Sequence, residues 1–136
     1  MANYKIEKVE GVDDELSAKF REVGIDTTDK LLAGTRTKKQ RKELAESVGV
    51  SEKSLLRLAN LVDLFRIKGI GQKFSDLLEI AGVDTVPELA VRKAENLTAK
   101  MEEVNAEKNL TGRTPALKEV EKWIKEAKSL PRMLEY

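Results

Sequence analysis

The chain has 136 residues, of which 40% are hydrophobic, 36% charged and only 4% aromatic; this is the size of one domain, or of two very small ones, and the composition of a helical protein with a heavily solvated surface. It contains neither Cys nor His, which excludes thiol nucleophiles, disulfides, thiolate or imidazole metal sites and any Ser-His-Asp triad, while carboxylate catalysis with a hard metal such as magnesium stays open to it. The net charge of +1 hides an uneven distribution: residues 33–75 carry 10 basic and 4 acidic groups, net +6, between residues 1–32 at net −3 and residues 76–136 at net −2.

The start, Met1-Ala2-Asn3-Tyr4-Lys5-Ile6, leads into no apolar run of signal-peptide length. No stretch approaches the roughly 20 apolar residues that span a bilayer. A cytoplasmic protein without membrane contact is therefore expected. A tight turn at Val9-Glu10-Gly11-Val12 comes first, with Gly11 supplying backbone angles that other residues resist. A helix over 14–23 follows, with Leu16 and Phe20 on one face, and Gly24 ends it. Asp26 or Thr27 caps the next helix, which carries Leu31 inward. Thr37 caps a helix through about Val48 that ends at Gly49, and Ser51 caps another to about Phe65 with Leu55, Leu58, Ala59 and Val62 in one stripe. Asn60 and Asp63 flank that stripe and are read as solvated helix surface.

Past residue 65 the pattern repeats. Shifted by 58 positions without a gap, Gly11, Gly24, Asp26, Thr27 and Leu31 meet Gly69, Gly82, Asp84, Thr85 and Leu89. The apolar positions match almost throughout, which two copies of one helical unit explain economically. The second copy predicts a helix over 72–81 with Phe74 and Leu78 on one face, and a second capped by Asp84 or Thr85 with Pro87 in its first turn. A third helix runs from Asn96 or Thr98 to about Asn105. The last opens at Thr114-Pro115 and runs to about Leu130, with Leu117, Val120, Ile124 and Ala127 inward and Trp123 packing beside them. Pro131 ends it, residues 131–136 form a tail, and no segment predicts a sheet.

The segment Ile67-Lys68-Gly69-Ile70-Gly71-Gln72-Lys73-Phe74 resembles the helix-hairpin-helix motif. The resemblance implies that the glycines let the backbone approach a nucleic-acid phosphate, that amides at the start of the second helix bind it, and that Lys68 and Lys73 add charge. Residues 4–130 as a whole resemble a bacterial and archaeal helix-hairpin-helix family of unknown function, through Tyr4-Lys5-Ile6-Glu7 and the run from Asp63 to Gly71. It implies an all-α, compact multi-helix domain of two tandem helix-hairpin-helix pseudo-repeats, SAM-like, divided at 4–65 and 66–130, and supplies no activity. The first copy departs from the motif: Asp13 stands where the second glycine belongs, and Asp13, Asp14 and Glu15 crowd the helix start, where they would repel a phosphate.

Three functions follow as expectations. The first is a non-enzymatic, sequence-independent module that contacts the double-stranded DNA backbone. Its site residues are Lys68, Gly69, Ile70, Gly71, Gln72 and Lys73, with the basic cluster Arg36, Lys38, Lys39, Arg41 and Lys42, and it needs no catalytic residue, metal or cofactor. The second is a protein-interaction or scaffold domain in which the turns serve packing alone. The third, a carboxylate-metal nuclease using Asp13, Asp14 and Glu15, is disfavoured because adjacent residues at a helix start point to different faces.

Overall fold

Hydroxyl and acidic caps, apolar residues at helical spacing and left-handed glycines form eight α-helices among the described residues. The computed structural model describes residues 3–136. Met1 and Ala2, part of the start inspected above for a leader, lie outside the described residues. The fold is all-helical: α1 (Asp14–Glu22), α2 (Thr28–Ala33), α3 (Lys38–Val48), α4 (Glu52–Leu64), α5 (Gln72–Ile80), α6 (Val86–Ala90), α7 (Ala94–Lys108) and α8 (Leu117–Ser129), preceded by a 3-10 turn at Ile6–Lys8. Among the described residues there is no strand, only an isolated antiparallel bridge between Lys5 and Thr27. Among the described residues no helix is long and apolar enough to cross a membrane. Two compact units emerge, residues 3–63 with 132–136, and residues 64–131.

In the first unit Ile6, Phe20, Leu31, Leu44, Leu55 and Leu58 are buried. Thr27 caps α2 by accepting from the Lys30 amide, and Thr37 caps α3 through a capping box with Gln40. Gly49 ends α3 in the left-handed conformation, and the Ser51 hydroxyl accepts from the Ser54 amide at the start of α4. The last five residues belong to this unit. Leu134 is buried, the Glu135 amide donates to the Arg36 carbonyl at 2.7 Å, and the Tyr136 hydroxyl donates to Asn60 Oδ1 at 2.8 Å. Residues 132–136, expected as a tail, are thus a packed segment. They also explain the Asn60 half of a second departure. Asn60 and Asp63, read as surface, are 7% and 2% exposed, and Asn60 has its partner in a residue 76 positions away, beyond the reach of helical periodicity.

In the second unit α8 packs on α6 and α7, and α5 packs on α7. Leu77, Leu78, Leu89, Met101, Val120 and Trp123 lie in its core. Thr85 caps α6 by accepting from the Glu88 amide. Two boundaries differ from expectation. α7 starts at Ala94 with Lys93 as an N-cap that makes no side-chain bond, while the Thr98 hydroxyl donates back to the Ala94 carbonyl inside the helix. α8 starts at Leu117 rather than at Thr114-Pro115, because Glu119 reaches back to accept from the Ala116 amide.

The register of 58 is visible in backbone detail within each unit. Gly11 and Gly69 have φ of 97° and 93°. The amide of the following residue closes the turn in both copies, Val12 to the Val9 carbonyl at 3.0 Å and Ile70 to the Ile67 carbonyl at 3.1 Å. After α1 the Ile25 amide bonds the Phe20 carbonyl, and after α5 the Val83 amide bonds that of Leu78, each at 2.8 Å.

Candidate nucleic-acid interface

Ile67 and Ile70 are buried anchors, and between them the turn must pass through a positive φ at Gly69. A Cβ there would also meet Trp123 Nε1 at 3.1 Å, so glycine is required by conformation and by packing together. The turn delivers Gly71 in extended geometry as the N-cap of α5, with no side chain to accept from the first amides. Among the described residues the amides of Gln72, Lys73 and Phe74 donate to no protein acceptor, the first helical bond into the turn being Ser75 N–H to the Gly71 carbonyl. These are the donors a helix start leaves orphaned. Lys68 and Lys73 are exposed beside them, and α5 has no acid in its first turn. One donor of the turn is occupied: the Lys68 amide donates to Glu126 Oε1 at 3.1 Å.

The matched helix start is closed. Asp13 is the N-cap of α1 and accepts from the Leu16 amide at 2.8 Å, with Asp14 and Glu15 in the first turn. A carboxylate already satisfies the dipole there. These acids do not gather into a metal site: among the described residues no three His, Cys, Asp or Glu side chains are close enough to hold an ion.

The basic cluster divides. Arg36, Lys38, Lys39 and Lys42 are exposed around the start of α3. Arg41 is 4% exposed, and its guanidinium donates to the carbonyls of Thr35 at 2.8 Å, Arg36 at 3.3 Å and Glu135. Arg41 therefore holds backbone together and is withdrawn from the exposed basic set. Charge density grouped it with its exposed neighbours, although it stands three, four and seven residues before Leu44, Ala45 and Val48, on the buried stripe of α3.

Around the second turn the structure adds groups that composition and spacing did not single out. The Arg113 guanidinium lies 5.4 Å from the centre of the Phe74 ring, which sits 5.4 Å from the Trp123 ring. Arg113 is paired with Glu119 at 2.7 Å and 3.0 Å, and that guanidinium together with the Ala116 amide holds the Glu119 carboxyl down to about 2. Lys68, Gly69, Lys122 and Trp123 line a cleft of about 310 Å³ with Glu119 and Glu126. The sole tryptophan was the one available signal for this cluster.

No curated protein and no solved structure matches the chain. A family model does, over residues 10–130, a span that takes in both turns and all eight helices. The chain accordingly belongs to the family described as Domain of unknown function (DUF4332).

Proposed function

We propose that the protein is a non-enzymatic helix-hairpin-helix module of the cytoplasm that binds the phosphate backbone of double-stranded DNA without reading sequence, through the turn of residues 67–74. The observation that carries this reading is the start of α5, where Gln72, Lys73 and Phe74 amides are unengaged, no first-turn acid competes, and Lys68 and Lys73 flank the site. A helix start of this kind favours an anion, and backbone contact supplies affinity that is independent of base identity. With α1 closed by Asp13, one turn engages one or two phosphates, so binding is weak and salt-sensitive.

Fluorescence anisotropy of a labelled duplex against salt tests the reading. Binding at low salt should weaken with a log–log slope of about −0.9 per phosphate engaged. The variant Gly71→Asp, which rebuilds the Asp13 arrangement on α5, should lose most of the affinity while keeping its fold. Equal binding by wild type and Gly71→Asp rejects the site. A protein-docking role with purely structural turns is the second reading. It draws on Val91, 80% exposed, and Ile80, 46% exposed, in the same unit; a nuclease-resistant protein complex recovered with no DNA binding would replace the first reading with it.

A further inference from the structure

Trp123 is 2% exposed, and an indole buried this far usually has its N–H bonded to an acceptor. Here it has none: among the described residues no hydrogen bond engages Nε1. Nor is Nε1 one of the unpartnered side-chain atoms sealed from solvent, so it looks into an opening. Gly69 supplies that opening, since a Cβ at this position would stand 3.1 Å from Nε1 and cover it. The space is the cleft of about 310 Å³ between the turn and α8. Both acids of its wall are engaged, Glu119 by Arg113 and the Ala116 amide, Glu126 by the Lys68 amide. Lys68 and Lys122 are exposed at its mouth and enter no ion pair among the described residues. The cleft thus offers a neutral donor in its depth, apolar walls, and two cations outside.

We propose that this cleft receives one unpaired nucleotide, whose base carbonyl accepts from Trp123 Nε1–H while its phosphate lies against Lys68 and Lys122. A neutral donor behind apolar walls fits a flat heterocycle with a carbonyl edge, and the outer cations fit the anion attached to it. The donor is recessed, so it cannot reach into a groove for a base edge that is paired and stacked. A base outside a duplex can come to it. The cleft adjoins the open helix start: Lys68 and Gly69 line it, and the ring of Phe74, whose amide is one of the open donors, lies 5.4 Å from the Trp123 ring. The proposal rests on the phosphate-binding reading in taking nucleic acid as the ligand. It narrows that ligand to DNA with an unpaired end or gap, and it concerns a different donor that is tested separately.

With a single tryptophan, the full chain gives a single indole N–H resonance in nitrogen-15 NMR. Thymidine 5′-monophosphate should move that resonance saturably downfield, as a new hydrogen bond does. The base-free control, 2-deoxyribose 5-phosphate, should leave it in place. In the anisotropy assay at low salt, a duplex with a short thymine overhang should bind about fivefold tighter than the blunt duplex, the size of one added hydrogen bond of this kind. Trp123→Phe should abolish that advantage. Because Trp123 is a core residue, Lys122→Glu on the exposed mouth provides a second variant, which should reduce the advantage with the fold intact. An indole resonance that ignores thymidine 5′-monophosphate, or that answers equally to the base-free sugar phosphate, overturns the proposal, as does equal binding of overhang and blunt duplex. If Gly71→Asp still weakens blunt-duplex binding in that case, the α5 reading survives alone. If the indole answers to the nucleotide, the overhang advantage holds and Gly71→Asp changes nothing, the cleft stands and the α5 site falls.

Discussion

The starts of α1 and α5 sit at matched positions of the duplicated sequence, each behind a glycine at φ near 95° and each opening a helix of nine residues. Their backbones do the same thing, but their chemistry is opposite. α1 receives an N-cap carboxylate and two further acids, while α5 receives Gly71, Gln72 and Lys73. The pair separates what the turn contributes to the fold from what it offers a ligand. The glycine bend is kept in both copies, and the helix start is left without a side-chain cap in only one.

The largest effects should come from the bends. Gly69→Ala forces a side chain into a positive φ and against the Trp123 indole at 3.1 Å, at a cost of about 2–3 kcal/mol. Gly11→Ala has the same conformational cost, but its nearest neighbour is Arg57 Nη1 at 2.8 Å, the far end of a flexible side chain, so about 1–2 kcal/mol is expected. Urea denaturation followed by Trp123 fluorescence measures the first, and far-UV circular dichroism the second. Equal losses would mean that the indole contact adds nothing to the conformational cost.

Converting α1 into α5 sharpens the comparison in the other direction. Asp13→Gly, Asp14→Gln and Glu15→Lys together reproduce residues 71–73 in the first copy. They remove the cap on the Leu16 amide and the Glu15–Lys19 ion pair of 3.2 Å, which costs stability of order 1 kcal/mol. DNA binding should tighten several-fold, and the salt slope should steepen by about 0.9 for one added phosphate. An unchanged slope would show that a glycine-led helix start, even freed of acids, does not hold a backbone phosphate in this fold.

What was legible in the sequence shares one property: it is local. Thr27, Thr37, Ser51 and Thr85 announce helix starts because a cap reaches only three residues ahead. The two bends could be read from glycine spacing, and the closed state of α1 from Asp13 itself. The partners of Arg41 and Asn60 were hidden because both depend on residues 132–136 folding back onto the first unit. The start of α7 was missed because Lys93 does no capping that a sequence could advertise.

A smaller electrostatic effect lies beside the open site. The Glu119 carboxyl is held at about 2 by Arg113, well below the ordinary 4.5. A depressed carboxylate stabilises the fold above its unfolded value and stops doing so as pH falls from about 4.5 toward 2. Both partners are partly solvated, with side chains 63% and 34% exposed, so the contribution at neutral pH is about 0.5–1 kcal/mol after screening. Glu119→Gln should lose that amount at pH 7 in urea denaturation and approach wild type near pH 2. A loss that persists at pH 2 would assign the effect to the Ala116 cap rather than to charge.

The smallest expected effect comes from a second matched pair. In the first copy Asp26 meets Lys30 at 2.9 Å, which lowers the Asp26 carboxyl. The same register places Glu88 opposite Asp84, and the hydrogen bond to Asp84, with partial burial and like charge, raises the Glu88 carboxyl above its usual value. A group with a raised folded pKa favours the fold while protonated, below about 4.5, and that advantage disappears as pH rises through the raised value. At pH 7 the second copy therefore carries a like-charge pair where the first has an attractive one. Arg92, 3.5 Å from Glu88, offsets part of the repulsion. Replacing Glu88 with Gln keeps a hydrogen-bonding side chain beside Thr85 and removes the repulsion. It should stabilise the second unit by a few tenths of a kcal/mol at pH 7, read by Trp123 fluorescence in urea. The gain should shrink as pH drops below 4.5, where wild-type Glu88 is itself neutral. A gain that stays constant across that range would place its origin in helix propensity, and a loss at pH 7 would show that the Arg92 pairing outweighs the Asp84 repulsion.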